Sequence, residues 1–231
     1  MKNSTLIIGR GEVGSALAAV LRPFYPVTVV DLNPPDVADV EFMHVCFPYS
    51  ERFVDEVLGY RKQYRPVHTV IHSTVPVGTS RACGAVHSPV RGNHYDMERS
   101  LKTITKFVGG PGPSSDAVAE YLMRAGIPVE ICRLQETTEL GKLLCTTFYG
   151  VCIEYVKAAE RKCQEEGVPF GEAFTLFQKT YNDGYAALGR PEVARPVLTP
   201  IQGRIDGHCV LPNCRLFEFP FATLVGRLNR E

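Results

Sequence analysis

The chain has 231 residues, 45% of them hydrophobic, and its 25 basic and 25 acidic side chains cancel to a formal net charge of zero. That is enough apolar material for one large domain or two modest ones, and the neutral balance leaves no basic surplus for nucleic acid or an anionic membrane. No apolar run is long enough to span a bilayer. The opening Met1-Lys2-Asn3-Ser4 also lacks the length and cleavage site of a signal peptide, so the expectation is a cytoplasmic protein.

In chain order, residues 5–8 read as a strand, 11–21 as a helix and 27–31 as a second strand. Residues 43–47 predict a strand, 51–64 a helix and 67–72 a strand. Weaker strands follow near 85–87 and 106–108, then a helix over 114–125 and a last strand over 128–131. Continuous apolar strands separated by amphipathic helices point to a parallel sheet covered on both faces. Near Gln135 the pattern changes. From Glu136 to Glu166 there is no proline, and Leu140, Leu143, Leu144, Phe148, Val151, Cys152, Tyr155 and Ala159 recur at helical spacing. This predicts one long helix ending at Gly167, with Pro169 just beyond. A second helix is predicted over 169–188, then an irregular segment over 191–213 and a short closing helix. The division predicted is 1–134 for the sheet domain and 135–231 for an all-helical domain.

Eight cysteines, Cys46, Cys83, Cys132, Cys145, Cys152, Cys163, Cys209 and Cys214, include no Cys-x-x-Cys pair and do not cluster with histidine. They read as small buried hydrophobes in a reducing compartment, with no metal site.

The chemistry begins at Gly9-Arg10-Gly11-Glu12-Val13-Gly14, a GxGxxG run placed between the first strand and the first helix. There the first glycine permits a tight turn, the second lets backbone approach a pyrophosphate, and the third packs helix against strand. The helix N-terminus adds free N–H groups and a positive dipole end. Asp31 closes the second strand about twenty residues on, where a carboxylate accepts both ribose hydroxyls of NAD. Leu32 and Asn33 follow it, and neither suits a 2′-phosphate. The fold class is therefore α/β, a Rossmann-type doubly wound parallel sheet followed by a helical domain, and the cofactor expected is NAD. Phe47, Pro48, Ser73 and Thr74, at the ends of the next two strands, complete the candidate cofactor contacts.

Three further segments, beginning at His72-Ser73-Thr74-Val75-Pro76, Glu139-Leu140-Gly141-Lys142 and Gly207-His208-Cys209, together resemble the UDP-glucose/GDP-mannose dehydrogenase family. His72-Ser73-Thr74-Val75-Pro76-Val77-Gly78-Thr79 is similar to its Ser-Thr-Val-Pro-x-Gly-Thr signature, which in that family lies beside the NAD. Glu139-Leu140-Gly141-Lys142, continuing to Thr146 and Phe148, resembles its Glu-x-x-Lys-x-x-x-Asn-x-Phe motif. Gly207-His208-Cys209 resembles the segment bearing its catalytic cysteine. The resemblance spans nearly the whole chain and implies a two-step oxidation. An alcohol yields hydride to NAD, a cysteine captures the aldehyde, and the thiohemiacetal is oxidised to a thioester that water hydrolyses. Cys209 would be that cysteine and Lys142 the cation that steadies the oxyanion, with His208 a candidate for tuning the thiol.

The sequence departs from the family pattern at named places. Thr146 stands where the motif has asparagine, Asn213 where it has aspartate, and Ser88-Pro89-Val90 where it has Ser-Pro-Glu. The family's third, nucleotide-binding domain is not expected within these 231 residues. Thr146 and Asn213 remain candidate catalytic residues by position. Two alternatives stay open: a β-hydroxyacid dehydrogenase-like enzyme using a helix lysine and no cysteine, and a non-catalytic NAD-binding protein. The substrate expected is a small molecule, a sugar nucleotide or hydroxy acid. Arg91, Arg204 and His94 are further candidates to grip an anionic one, exposed loop charge being the plainer reading. A helix of about thirty residues, apolar on more than one side, also needs a partner surface, which predicts a homodimer.

Overall fold

The structure is a computed structural model and describes residues 4–31, 39–207 and 209–230. The expectations placed on Leu32, Asn33 and His208, and on the side chain of His94, lie outside the described residues. The chain forms two compact units, one running to Lys142 and the other beginning at Leu143.

The first unit is built on seven strands: β1 (Thr5–Ile8), β2 (Val27–Val30), β3 (Phe42–Val45), β4 (His68–Ile71), β5 (Val86–His87), β6 (Lys106–Gly109) and β7 (Val129–Cys132). They form one sheet in the order β2-β1-β3-β4-β5-β6-β7. Every neighbouring pair is parallel except β5 with β6, which meet antiparallel at His87 and Gly109. Helices α1 (Glu12–Leu21), α2 (Phe53–Tyr64), α3 (Thr79–Ala82), α4 (Met97–Thr103) and α5 (Gly112–Arg124) connect them. Strand alternation divides the core. Ile7, Phe42, Val70 and Val108 face one way and pack with Leu17, Leu101, Tyr121 and Leu122 of α1, α4 and α5. Leu6, Ile8, Met43, Val45 and Ile71 face the other way, against Phe53 and Val57 of α2.

The expected doubly wound sheet is present, and two helices join it that the sequence pattern does not announce. α3 is one turn of Thr-Ser-Arg-Ala, and α4 buries only Met97, Ser100 and Leu101. Neither carries enough apolar residues to set up a helical period.

α6 (Gln135–Glu166) is the long helix, starting one residue before its predicted position. The helix expected over 169–188 divides into a π-wound turn, Gly171–Leu176, and α7 (Phe177–Ala187). Phe174, the buried residue of the wide turn, stacks on Phe170 at 5.2 Å. Past the irregular segment come α8 (Val210–Cys214) and α9 (Pro220–Leu228). Ile205, Val210, Cys214, Ala222 and Val225 make the core of the second unit with Val151 and Ile153 of α6. Among the described residues no helix is long and apolar enough to cross a membrane.

Candidate functional site

Gly9 takes φ +103°, a conformation open chiefly to glycine, and a side chain there would crowd the backbone of Cys46 and Phe47. A Cβ on Gly14 would collide with the Gly9 carbonyl, so this glycine lets α1 pack onto the turn. Gly11 differs: a Cβ there meets no atom within 4 Å. Among the described residues nothing needs this position bare, and its open side lies at the N-terminus of a ten-residue helix, where a phosphate would approach. Val13 is partly buried beside Gly14, and Glu12 is exposed in the first turn. Asp31 is exposed immediately past β2, next to β1 in the sheet. The residues present therefore fit a dinucleotide: glycine backbone for the pyrophosphate and a carboxylate one strand away for the ribose.

The loops after β3 and β4 are tied together. The Ser73 hydroxyl donates to the Phe47 carbonyl at 2.5 Å, with Pro48 exposed beside it and Thr74 half-buried. The Ser73 carbonyl accepts from His87 Nε2 at 3.2 Å. That bond places the His87 proton on Nε2 and leaves Nδ1 to accept from the Thr138 hydroxyl at 2.8 Å. Gln135 donates to the Ala85 carbonyl at 3.1 Å, and Gly109 leaves room for Thr138, which would strike any Cβ there. The opening turns of α6 thus bury a polar face, Gln135, Thr138 and Glu139, with Lys142 one turn on and half-exposed. The sequence pattern pointed to apolar neighbours of Lys142. Leu143 is indeed buried, whereas Leu140 and Leu144 are exposed.

A second buried polar group lies beneath the sheet's α1 side. His72 Nδ1 donates to the Ser88 carbonyl at 2.9 Å, so its Nε2 accepts from His44 Nδ1 at 2.8 Å. Lys106, only 2% exposed on β6, donates to the Ser88 and Pro89 carbonyls at 2.8 and 3.1 Å. Desolvation lowers this amine from 10.5 to about 7, Cys46 opposing the shift and Lys142 adding to it. Desolvation, reinforced by Lys106, brings His44 to about 3 and His72 well below its ordinary value. His87 falls to about 3, chiefly through burial. All three imidazoles are neutral at pH 7. Burial pushes the Cys46 thiol up to about 12, which removes it as a nucleophile. Sequence reading missed this group because its members lie on three strands and a loop, and nothing local links them.

Val90 belongs to the apolar core on the same side of the sheet. Arg91 donates to the Thr105 carbonyl at 3.4 Å and lies over the Phe107 ring, 5.3 Å from its centroid. Its charge is held by the fold.

In the second unit, buried Asn213 donates its amide to Thr146 Oγ1 at 3.3 Å, tying α8 to α6. Thr147 and Cys214 face each other beside that bond at 3.8 Å. Cys209 is half-buried at the start of α8. Arg204 donates to the Arg230 carbonyl at 3.2 Å. Thr146 and Asn213 are therefore brought together, while Lys142 and Cys209 belong to different units. Among the described residues no group of His, Cys, Asp or Glu is arranged to hold a metal.

No protein-family model matches the sequence, and no curated protein matches it either. Solved structures do match. The UDP-D-ManNAc dehydrogenase of Pyrococcus horikoshii aligns over 98% of this chain and 68% of its own, with TM-score 0.77 at 16% identity. The fold is shared with sugar-nucleotide dehydrogenases. The GDP-mannose dehydrogenase of Pseudomonas aeruginosa aligns over 98% of this chain and 65% of its own, with TM-score 0.62 at 13% identity. The 3-hydroxyisobutyrate dehydrogenase of Mycobacterium tuberculosis aligns over 98% of this chain and 92% of its own, with TM-score 0.73 at 14% identity. The chain thus spans about two thirds of the length of the two sugar-nucleotide enzymes and most of the hydroxyisobutyrate enzyme. All three neighbours are dehydrogenases, and at these identities the likeness is one of fold.

Proposed function

We propose that the protein is an NAD-dependent oxidoreductase that oxidises an alcohol group of a small molecule, in the manner of the UDP-glucose/GDP-mannose dehydrogenases. The observation that carries this reading is the glycine turn. Gly9 and Gly14 are required by packing, Gly11 is bare toward open space at the α1 N-terminus, and Asp31 ends the adjacent strand. NAD, when bound there, supplies the hydride acceptor. Asp31 holds the adenosine ribose and repels a 2′-phosphate, the backbone of Gly11, Glu12 and Val13 takes the pyrophosphate, and Phe47, Pro48, Ser73 and Thr74 border the other half. Lys142 stabilises the developing oxyanion, and Cys209 is the residue proposed for covalent capture of an aldehyde.

Two observations favour stopping short of thioester hydrolysis, after a single oxidation or at a stalled acyl-enzyme. Val90 is in the apolar core, where it can polarise no water. The Asn213 amide donates to Thr146 and, being non-basic, cannot take up a proton from water as a general base would. Calorimetry with NAD and NADP tests the cofactor assignment: NAD is expected to bind more tightly, Asp31→Ala is expected to narrow the gap, and equal binding by the unmodified protein refutes it. NADH formation from a panel of nucleotide sugars and hydroxy acids tests the reaction. Undiminished turnover by Cys209→Ala excludes the covalent route. No turnover from any substrate, with NAD still bound, leaves the non-catalytic reading.

The same proposal includes a homodimer built on the second unit. α7 buries no residue in the single chain, and Phe148, Tyr155, Leu176, Phe177 and Leu188 are exposed along α6 and the following helical segment. Large apolar side chains left exposed along a helix call for a second surface.

A further inference from the structure

Glu139 is fully buried on α6, yet Oε2 and Oε1 are both occupied. Oε2 accepts from the Gly78 N–H at 2.6 Å, and Oε1 accepts from the Ser80 N–H at 2.7 Å. A carboxylate taken out of water must be paired, and two short charge-assisted bonds to backbone do that. The arrangement is specific to a carboxylate, since a carboxamide would turn an NH2 group toward one of the two amides. These donors stand at the far end of the loop that leaves β4. Its near end is anchored at Ser73, which bonds Phe47 and, through His87, reaches Thr138, the residue before Glu139. Adjacent residues of α6 therefore hold both ends of one loop, and Lys142 lies one turn further along the same helix.

We propose that Glu139 is a positioning residue, clamping the 73–80 loop so that the half of a dinucleotide beyond the pyrophosphate is held at a fixed place relative to Lys142. The strand order gives the direction. With the adenosine ribose at Asp31 beside β2, the rest of the molecule crosses β1 toward β3 and β4, where this loop begins. The proposal rests on the cofactor reading above only for what the loop receives. The clamp itself is independent of that reading.

The test compares the full chain with its Glu139→Gln variant in two measurements. Amide hydrogen exchange is read over residues 73–82, and affinities for NAD and for ADP, which lacks the nicotinamide half, are read by calorimetry. Exchange in 73–82 is expected to accelerate tenfold or more with the amides of β1 and β3 unchanged, and NAD binding to weaken about tenfold with ADP binding unchanged. Unchanged exchange, or equal losses for NAD and ADP, overturns the proposal, because a residue that merely supports the fold would weaken both ligands alike. If the unmodified protein binds neither ligand, the cofactor reading fails and the exchange result alone decides the clamp. If Glu139→Gln does not fold, Thr138→Val carries the same comparison from the other anchor. A selective loss of NAD affinity supports the proposal, and an equal or absent loss overturns it.

Discussion

Replacing Lys106 by methionine is expected to remove a pH dependence from the stability of the protein. In the fold the amine interacts with His44, His72, His87, Cys46 and Lys142, and among the described residues no carboxylate offsets its burial. Its affinity for a proton falls from the ordinary 10.5 to about 7, mainly through desolvation. Above about pH 10.5 the amine is neutral both folded and unfolded and contributes nothing. Below that, the unfolded chain takes up the proton and the folded chain does not, so stability falls as pH falls until the folded amine itself titrates near 7. The loss is then complete and constant. At about 1.36 kcal/mol per pH unit the whole window is worth about 5 kcal/mol, and the part between pH 9 and pH 7 about 2 kcal/mol. Methionine fills similar volume without an amine. It leaves the Ser88 and Pro89 carbonyls without their donor, a cost of roughly 1–3 kcal/mol each that does not vary with pH. The comparison to make is urea unfolding of both proteins at pH 7 and pH 9. Relative to the variant, the unmodified protein should gain about 2 kcal/mol over that interval. Parallel curves would mean that Lys106 is a normally charged lysine, and the account of this buried group would be wrong.

Other expectations follow from the same structure. Gly11→Ala should keep its melting temperature and lose at least tenfold in NAD affinity, whereas Gly14→Ala should lose about 3 kcal/mol or more of stability, because its methyl group has no room beside the Gly9 carbonyl. Equal melting temperatures for the two would contradict the division of roles. On the acid side, folded His44 and His87 titrate near 3 instead of 6.5. The unfolded chain is therefore protonated first, and stability should fall from about pH 6.5 toward pH 3, by about 2 kcal/mol per histidine at pH 5. His44→Leu should show a shallower acid loss in denaturant titrations, and an unchanged slope would count against a neutral buried pair. Light scattering at micromolar concentration should give a dimer mass, and Phe177→Glu, placing charge on a side chain 70% exposed in the single chain, should give a monomer. A monomeric mass for the unmodified protein refutes the dimer.

The glycine turn, the helix it opens and the acidic end of β2 could be read directly because each is a local pattern. Glycine spacing, strand polarity and the distance to Asp31 are all fixed within one βαβ unit. The sheet was legible for the same reason, since strands buried on both faces are short continuous apolar runs. The antiparallel step from β5 to β6 was not, because β5 has two residues and α4 shows no clear period. The histidines and Lys106 were also hidden. His44 and His72 are 28 residues apart, and they meet only because β3 lies beside β4. A lysine in a strand reads as a solvent-facing residue until the sheet beyond it is known.

The long helix carries the more general lesson. Its apolar period, on more than one side, calls for a partner surface, and Phe148 and Tyr155 are indeed exposed; its first turns, however, bury Gln135, Thr138 and Glu139 while Leu140 and Leu144 beside Lys142 stay exposed. A hydrophobic period reports burial only where the helix packs on an apolar surface. The first turns of α6 pack instead on the carboxyl-end loops and strand ends of a sheet, where unpaired backbone N–H and C=O groups demand polar partners. Glu139 meets two such amides, Gln135 one carbonyl, and Thr138 the ring of His87. Further along, Val151 and Ile153 pack on the core of the second unit, whereas Phe148 and Tyr155 remain exposed among the described residues. One helix thus serves two environments: its first turns pack a polar face on the segment between β4 and β5, and further along it leaves Phe148 and Tyr155 exposed, two of the side chains on which the proposed dimer rests.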